Sequence, residues 1–254
     1  MKNIPKVSII LPTYKGKYIQ QSIDNCLNQT YKNIELIIVD DASFDEKLDE
    51  IINSYDNKKI KFIKHKENKK LPETLNTGFS NATGNYLTWT SDDNYYDSQA
   101  IEILVNFLET HSKIDFVYTN YYEIDENEKI LNKKEVLSSE NLIYHNCIGP
   151  CFLFRKKVYE SIGFFNKDFF GAEDYDYWVR VYKNHFKMKK IDNFLYYYRL
   201  HKNSMTNQYS SIISLNTQKI IKKYFPLKSI KTKIHLTKMF LKKVFNCFFP
   251  LKNN

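Results

Sequence analysis

Glycine is scarce in this chain. The six in 254 residues, at positions 16, 78, 84, 149, 163 and 171, form neither G-x-G-x-x-G nor G-x-x-x-x-G-K-[ST]. A dinucleotide fingerprint and a Walker phosphate loop are therefore both excluded. Cysteine is scarcer still. Cys26, Cys147, Cys151 and Cys247 give one C-x-x-x-C pair, which matches neither a redox C-x-x-C nor a paired zinc framework, and the four read as reduced thiols of a cytosolic protein. No uncharged apolar run reaches about 18 residues, and no apolar stretch of roughly 7–15 residues follows the N-terminus. The chain is expected neither to span a membrane nor to carry a secretory leader. Acidic residues are missing from one end: Asp192 is the last, and ten lysines lie between Ile213 and Asn254. Taking those ten from the total of +9 leaves residues 1–212 at −1, so a near-neutral body carries a strongly basic tail. Such asymmetry points to an anionic partner, either a membrane face or a nucleic acid.

What is present is ordinary globular material, 43% apolar and 26% charged, with 20 Tyr and 18 Phe against 2 Trp. With only six Pro beside the six Gly there is little material for long linkers, and one embellished domain is expected. Residues 7–11 and 35–39 are short apolar runs of the kind that form strands covered on both faces. Between them Ile19, Ile23, Cys26 and Leu27 recur at helical spacing, which makes a β-α-β unit. A third strand is predicted at 60–63, a helix at about 72–81, and a fourth strand at 86–90 that runs into Ser91-Asp92-Asp93-Asn94. This alternation predicts a right-handed, mostly parallel sheet between helices. The second half reads as α+β. It has a helix at 101–111, a strand at 116–122 with a return near Ile130, a short strand at 151–154, a helix bearing Tyr175, Trp178, Val179, Tyr182 and Phe186, and an extended segment at 189–201.

Three acidic clusters can carry chemistry, and each has a plain structural alternative. Asp40-Asp41 ends a buried strand, where the ligand crevice of an open parallel sheet lies. The S-x-x-E spacing of Ser43 and Glu46 equally suits a capping box. Asp92-Asp93 can supply a metal ligand and a sugar contact, because the departing diphosphate of a nucleotide sugar needs its charge neutralised. Ser-Asp-Asp-Asn is also good turn chemistry. Glu173-Asp174 opens a helix, where the dipole favours acids, yet a carboxylate there can also take a proton from an acceptor hydroxyl.

Their order along one chain goes further. The series 7–14 (Val-Ser-Ile-Ile-Leu-Pro-Thr-Tyr), Ile38-Val39-Asp40-Asp41-Ala42-Ser43, Asn76-Thr77-Gly78, the run from Gly84 to Asp93, and Glu173-Asp174 closely resembles the family 2 inverting glycosyltransferases with the GT-A fold. The resemblance covers residues 6–204. It implies an α/β GT-A domain over 1–205, with a nucleotide-sugar-binding half at 1–97 and an acceptor-binding half at 98–205, followed by a basic amphipathic helical tail at 206–254. By the same resemblance Pro12 and Tyr14 belong to the nucleotide-binding strand end with Tyr14 against the base. Asp41 reads the uracil edge, Asn76 joins the donor-binding set, Asp92 faces the ribose and donor sugar, and Asp93 holds Mg²⁺ or Mn²⁺. Asp174 is implied as general base and Glu173 as its or the acceptor's positioner. His201, in Tyr198-Arg199-Leu200-His201, resembles a late metal-side histidine. Leu75 stands where many relatives have Arg, so Lys69 or Lys70 would have to supply that donor contact. Thr90-Ser91 replaces apolar residues before the acidic pair and implies a wetter metal site.

The function expected is metal-dependent, inverting transfer of a sugar from a nucleotide sugar, UDP-linked, to a saccharide or lipid-linked saccharide acceptor in polysaccharide, lipopolysaccharide or glycan synthesis. Residues 146–150 and Phe164, Phe165, Phe169 and Phe170 are expected to shape the acceptor side, the aromatics as platform or as core. The tail is expected on the anionic cytoplasmic face of a membrane: 234–249 sets Met239, Phe240, Val244, Cys247 and Phe248 against Lys238, Lys242 and Lys243, with Pro250 ending the run. The rival is a non-catalytic platform with a nucleic-acid-binding tail. No RNP-like or zinc-finger pattern supports it, so no nucleic-acid partner is expected.

Overall fold

The computed structural model describes residues 4–55 and 58–226. The first β-α-β unit forms as its apolar spacing requires: β1 (Val7–Thr13) and β2 (Ile34–Asp40) pair in parallel, with α1 (Ile19–Leu27) crossing between them. Next come α2 (Glu46–Asn53), β3 (Ile60–Lys64), α3 (Lys70–Ser80) and β4 (Tyr86–Trp89). The second half comprises β5 (Tyr95–Tyr96), α4 (Ala100–Thr110), β6 (Phe116–Ile124), β7 (Ile130–Lys134), β8 (Phe152–Arg155), α5 (Lys156–Ile162), α6 (Glu173–Lys183) and β9 (Met188–Arg199). Two helices, α7 (Met205–Gln208) and α8 (Ser210–Tyr224), close the described chain.

The strands make one sheet of order β3-β2-β1-β4-β8-β6-β9-β5, with β7 beside β6. β1, β2, β3, β4, β6 and β9 run one way, and β5, β7 and β8 run against them. The sheet is therefore mostly parallel and covered on both faces. Alternation along β1 sends Val7, Ile9 and Leu11 to a core shared with α1, α2 and α4, and Ile10 to the opposite core under α3 and α6. That second core is largely aromatic, with Phe116 stacked on Phe152 and Phe154 and the Trp178 ring set edge-on 5.0 Å from Phe116.

The predicted elements are found with small changes of boundary, and β5 and α5 are among those not predicted. β5 is two residues long, too short for any periodicity, and exists because Tyr95 and Tyr96 pair with Tyr197 and Tyr196 of β9. The seven-residue α5 was also not predicted. The capping box at Ser43 does not form: the Asp45 carboxylate caps α2 by accepting from the Lys47 N–H at 3.0 Å, while Ser43 Oγ has no hydrogen-bond partner. The stretch expected to open the tail at 206 is partly docked on the body, since Ile220 and Ile221 of α8 enter the second core. The amphipathic stretch 234–249 lies outside the described residues. Among those described, no helix is long and apolar enough to cross a membrane.

Strand order places the site. β1 lies between β2 and β4, and the parallel register sets Thr13 beside Asp40. The exits of β1, β2 and β4 therefore gather at the carboxyl edge of the sheet, where α/β sheets hold their ligands.

Candidate active site

Pro12 is buried within β1, and the chain leaves Thr13 into Tyr14, whose ring is half exposed at the edge of the sheet. Lys15 adopts a left-handed backbone (φ 57°) and sets its ammonium 5.4 Å from the centre of the Tyr14 ring. Gly16 follows where nothing larger fits, because a Cβ there would overlap the Asp92 carboxylate. The β1 exit thus presses directly on the β4 exit, and the Thr13 hydroxyl donates to Asp92 Oδ2 at 2.6 Å.

Asp41 is buried beyond β2 and its carboxylate is heavily engaged. Oδ1 accepts from His65 Nδ1 (2.7 Å) and the Lys69 N–H (2.8 Å), and Oδ2 accepts from the Lys70 N–H (2.8 Å). His65 Nε2 is bonded in turn to Thr77 Oγ1 at 2.9 Å. Asp41 therefore ties the turn before α3 to the strand end. Lys69 and Lys70 take part through their backbone N–H groups, and Leu75 is wholly buried. Asn76 is not brought to this cluster. Its amide is reciprocally bonded to the backbone of Phe165, donating to the carbonyl at 3.0 Å and accepting from the N–H at 2.7 Å. It lines a separate cavity of about 460 Å³ with Phe164, Arg180, Lys223 and Tyr224 among others. Phe165 and Phe169 are buried in the core, so of the expected acceptor-side aromatics these two are packing residues.

The Asp92-Asp93 pair occupies the β4 exit. The protein packed around Asp92, more than the charge of Asp93, pushes its carboxyl up to about 7. Asp93 meets two side chains: Ser91 Oγ donates to Oδ1 at 2.7 Å, and His201 Nε2 lies 2.9 Å from Oδ2. Arg199, wholly buried, organises this corner and was not singled out in the sequence. Its Nε donates to the Asp93 carbonyl (3.0 Å), Nη2 to Gln21 of α1 (2.6 Å), and Nη1 to the Glu126 carbonyl of the β6–β7 turn (3.2 Å). Its guanidinium also lies 4.2 Å from the centre of the Tyr18 ring, which meets His201 edge-on at 6.0 Å. Its position two residues before His201 was the available signal.

Glu173 and Asp174 open α6. Gly171, with φ +81°, turns the chain so that its N–H donates to Glu173 Oε2 at 2.6 Å. Burial first, and the neighbouring Asp174 second, push the Glu173 carboxyl up to about 8. Burial raises Asp174 as well, against hydrogen bonds from the Tyr175 N–H (2.6 Å) and the Asn146 amide (2.8 Å) that favour its charged form. One side chain is within electrostatic reach of both acidic pairs. Tyr198 of β9, bonded to Thr206 at 3.0 Å, has its phenol pushed up by burial and further by the charges of Asp93, Asp174 and Glu123.

Among the described residues no three His, Cys, Asp or Glu side chains are grouped so as to hold a metal ion by themselves. Asp93 and His201 nonetheless suit an ion completed by substrate. They offer a carboxylate and an imidazole side by side, at 21% and 15% side-chain exposure. Mg²⁺ and similar hard cations use one or two protein ligands and take their remaining oxygens from phosphates and water.

The model of glycosyl transferase family 2 matches residues 8–163. An uncharacterised glycosyltransferase of Rickettsia prowazekii is 36% identical over 191 residues, covering 70% of this chain and 59% of that protein. One from Rickettsia bellii is 34% identical over 191 residues, but the match covers only 28% of its length. The Escherichia coli UDP-Glc:alpha-D-GlcNAc-diphosphoundecaprenol beta-1,3-glucosyltransferase WfaP is 30% identical over 235 residues, covering 90% of this chain and 88% of that one. In three dimensions the chain resembles Staphylococcus aureus TarS (TM-score 0.66, 22% identity, 87% of this chain and 66% of that one). It also resembles the Pyrobaculum calidifontis mannosyltransferase PcManGT solved with GDP-Man and Mn2+ (TM-score 0.66, 17% identity, 91% and 65%). At these identities the structural likeness establishes the GT-A fold.

Proposed function

This chain belongs to glycosyl transferase family 2, and on that premise we propose that it transfers a sugar from a UDP-sugar to a hydroxyl acceptor with inversion at the anomeric carbon. The observation that carries the reading is the acidic corner at the β1 and β4 exits, where Thr13 meets Asp92 and His201 meets Asp93, with Tyr198 of β9 within electrostatic reach of both Asp93 and Asp174. In this reading Tyr14 offers its exposed ring to the base, with Asp41 bounding the same crevice, and Asp92 faces ribose and sugar. Asp93 and His201 would hold a divalent cation, Mg²⁺ or Mn²⁺, which when bound neutralises charge on the departing diphosphate.

Asp174 removes the proton from the acceptor hydroxyl, and the oxygen attacks the anomeric carbon on the face opposite the leaving group. The bond from that carbon to the diphosphate oxygen breaks as the new glycosidic bond forms, and UDP departs carrying the electron pair. A positioned base of this kind contributes about 10²–10⁴-fold to rate.

The similarity to WfaP along nearly the whole chain supports a lipid-diphosphate-linked saccharide as acceptor and surface polysaccharide or lipopolysaccharide assembly as the setting. The basic tail suits such an acceptor, holding the enzyme at the anionic cytoplasmic face of a membrane. Each lysine near such a leaflet contributes about 1 kcal/mol.

The test is a screen of UDP-sugars for divalent-metal-dependent UDP release in the presence of short-chain lipid-diphosphate saccharides. Acceptor-stimulated release with at least one pair is expected. Failure of UDP to raise the melting temperature with or without metal would overturn the donor reading. Salt-sensitive pelleting with phosphatidylglycerol vesicles tests the tail, and pelleting that ignores both salt and anionic lipid would refute it.

A further inference from the structure

Resting on the reading of Asp174 as the base, we propose that Asn146 is its positioning residue, whose side-chain N–H holds the Asp174 carboxylate in the orientation and charge state that the proton transfer needs. Asn146 is exposed, but the segment around it is anchored. Cys147 and Ile148 are buried, and Cys147 Sγ reaches the Ser138 carbonyl at 3.4 Å. Gly149 lies so flat on β6 that a Cβ there would meet Val136 Cγ1 at 2.8 Å and the Thr119 carbonyl at 3.0 Å. The preceding turn is fastened to α6 by Tyr175, whose hydroxyl donates to the Leu142 carbonyl at 2.6 Å. The Ile148 N–H lies 3.4 Å from Asn146 Oδ1, which leaves Nδ2 to donate to Asp174 Oδ2 at 2.8 Å.

An exposed amide gains little stability from such a bond, so its value lies in what it does to the carboxylate. The groups acting on Asp174 are Glu173 on its own turn, the Tyr175 N–H at the helix start, the Tyr198 phenol from β9 and the Asn146 amide from the 144–150 segment. Glu173, Asp174 and Tyr198 are acidic groups competing to stay protonated. Within the Glu173-Asp174 pair, Asp174 has the additional side-chain donor, which favours its ionisation over that of the more deeply buried Glu173. A base must be ionised before it can accept a proton, so Asn146 keeps the better-exposed carboxylate ready at neutral pH.

The test is the titration of Asp174 in the full chain, followed by carboxyl ¹³C NMR with aspartate labelling. The Asp174 signal is identified by its loss in Asp174→Asn. In Asn146→Ala the midpoint should rise by about one pH unit, the loss of one hydrogen bond to a charged group. It should rise further in Asn146→Asp, which keeps the side-chain size but replaces the donor with a second carboxylate. Melting temperatures should stay within about 2 °C for these exposed substitutions. A role in packing alone would spare Asn146→Asp and leave the midpoint unmoved. Unchanged midpoints in both variants would overturn the assignment of Asn146. Raised midpoints together with undiminished turnover of Asp174→Asn would instead overturn the reading of Asp174 as base, on which the assignment rests.

Discussion

The two acidic pairs meet the same electrostatic problem on different backbones. Asp92-Asp93 sits on a strand exit, and Glu173-Asp174 on the first turn of a helix. In each, burial raises the first member, to about 7 for Asp92 and about 8 for Glu173. Three of the four acids also have a side-chain partner brought from elsewhere, Thr13 for Asp92, His201 for Asp93 and Asn146 for Asp174. Adjacent carboxylates do not ionise independently, and the groups that face them decide where the charge settles. A doublet of acids in a sequence therefore announces a site without saying which residue carries the charge.

The comparison breaks most sharply at Asp93. Asp93→Ala should leave no detectable transfer and should remove any divalent-metal dependence of UDP binding, read by calorimetry. Binding that keeps its metal dependence would take Asp93 out of the donor site. Asp174→Asn should act on the acceptor side only, lowering turnover about 10²–10⁴-fold while UDP-sugar affinity stays within a few-fold. Turnover near that of the wild type would send the search for the base elsewhere.

Arg199→Lys sharpens the contrast between the pairs. Lysine keeps the charge but cannot reproduce a planar fork that reaches the Asp93 carbonyl, Gln21 and the Glu126 carbonyl together. UDP affinity should weaken by about tenfold, since buried hydrogen bonds of this kind contribute on the order of 1–3 kcal/mol. A dissociation constant within twofold of wild type would show that the fork does not organise the Asp93 corner.

The smallest effect concerns stability. Glu173 has its folded value raised to about 8 from 4.5, so between these values the folded state binds more protons than the unfolded one. Stability contributed by the protonated group is present below pH 4.5 and is lost as the pH rises through about 8. Glu173→Gln should remove part of that decline, raising the melting temperature by about 2–4 °C at pH 8 relative to wild type. Equal pH slopes in the two proteins would mean that Glu173 is ionised in the fold.

The parallel half was legible because its physics is local. Apolar residues of β1 and β2 fill both faces of a buried sheet, and Ile19, Ile23 and Cys26 repeat at helical spacing on α1. Each fact lies within a few neighbouring residues. β5 and α5 escaped because such short segments take their form from partners distant in sequence. The acidic pairs were legible as well, since residue type and position at the end of an element were enough to nominate them.

His65 and Arg199, missing from that reading, share one property with Asn146, which the reading placed on the acceptor side without a partner. His65 is joined to Asp41 across 24 positions, Asn146 to Asp174 across 28, and Arg199 to the Asp93 carbonyl across 106. Taken singly, a histidine, an asparagine and an arginine have no periodicity to mark them. The amino-acid sequence by itself determined the parallel half of the sheet, the acids at its edge and the basic tail, because hydrophobic pattern and charge are properties of short stretches. Tertiary structure alone decided that Asn76 would be spent on the Phe165 backbone, that Ser43 would not cap α2, and which partner each acid would meet. Hydrogen bonds and desolvation act over a few ångströms in space, and only the folded chain brings such distant positions that near.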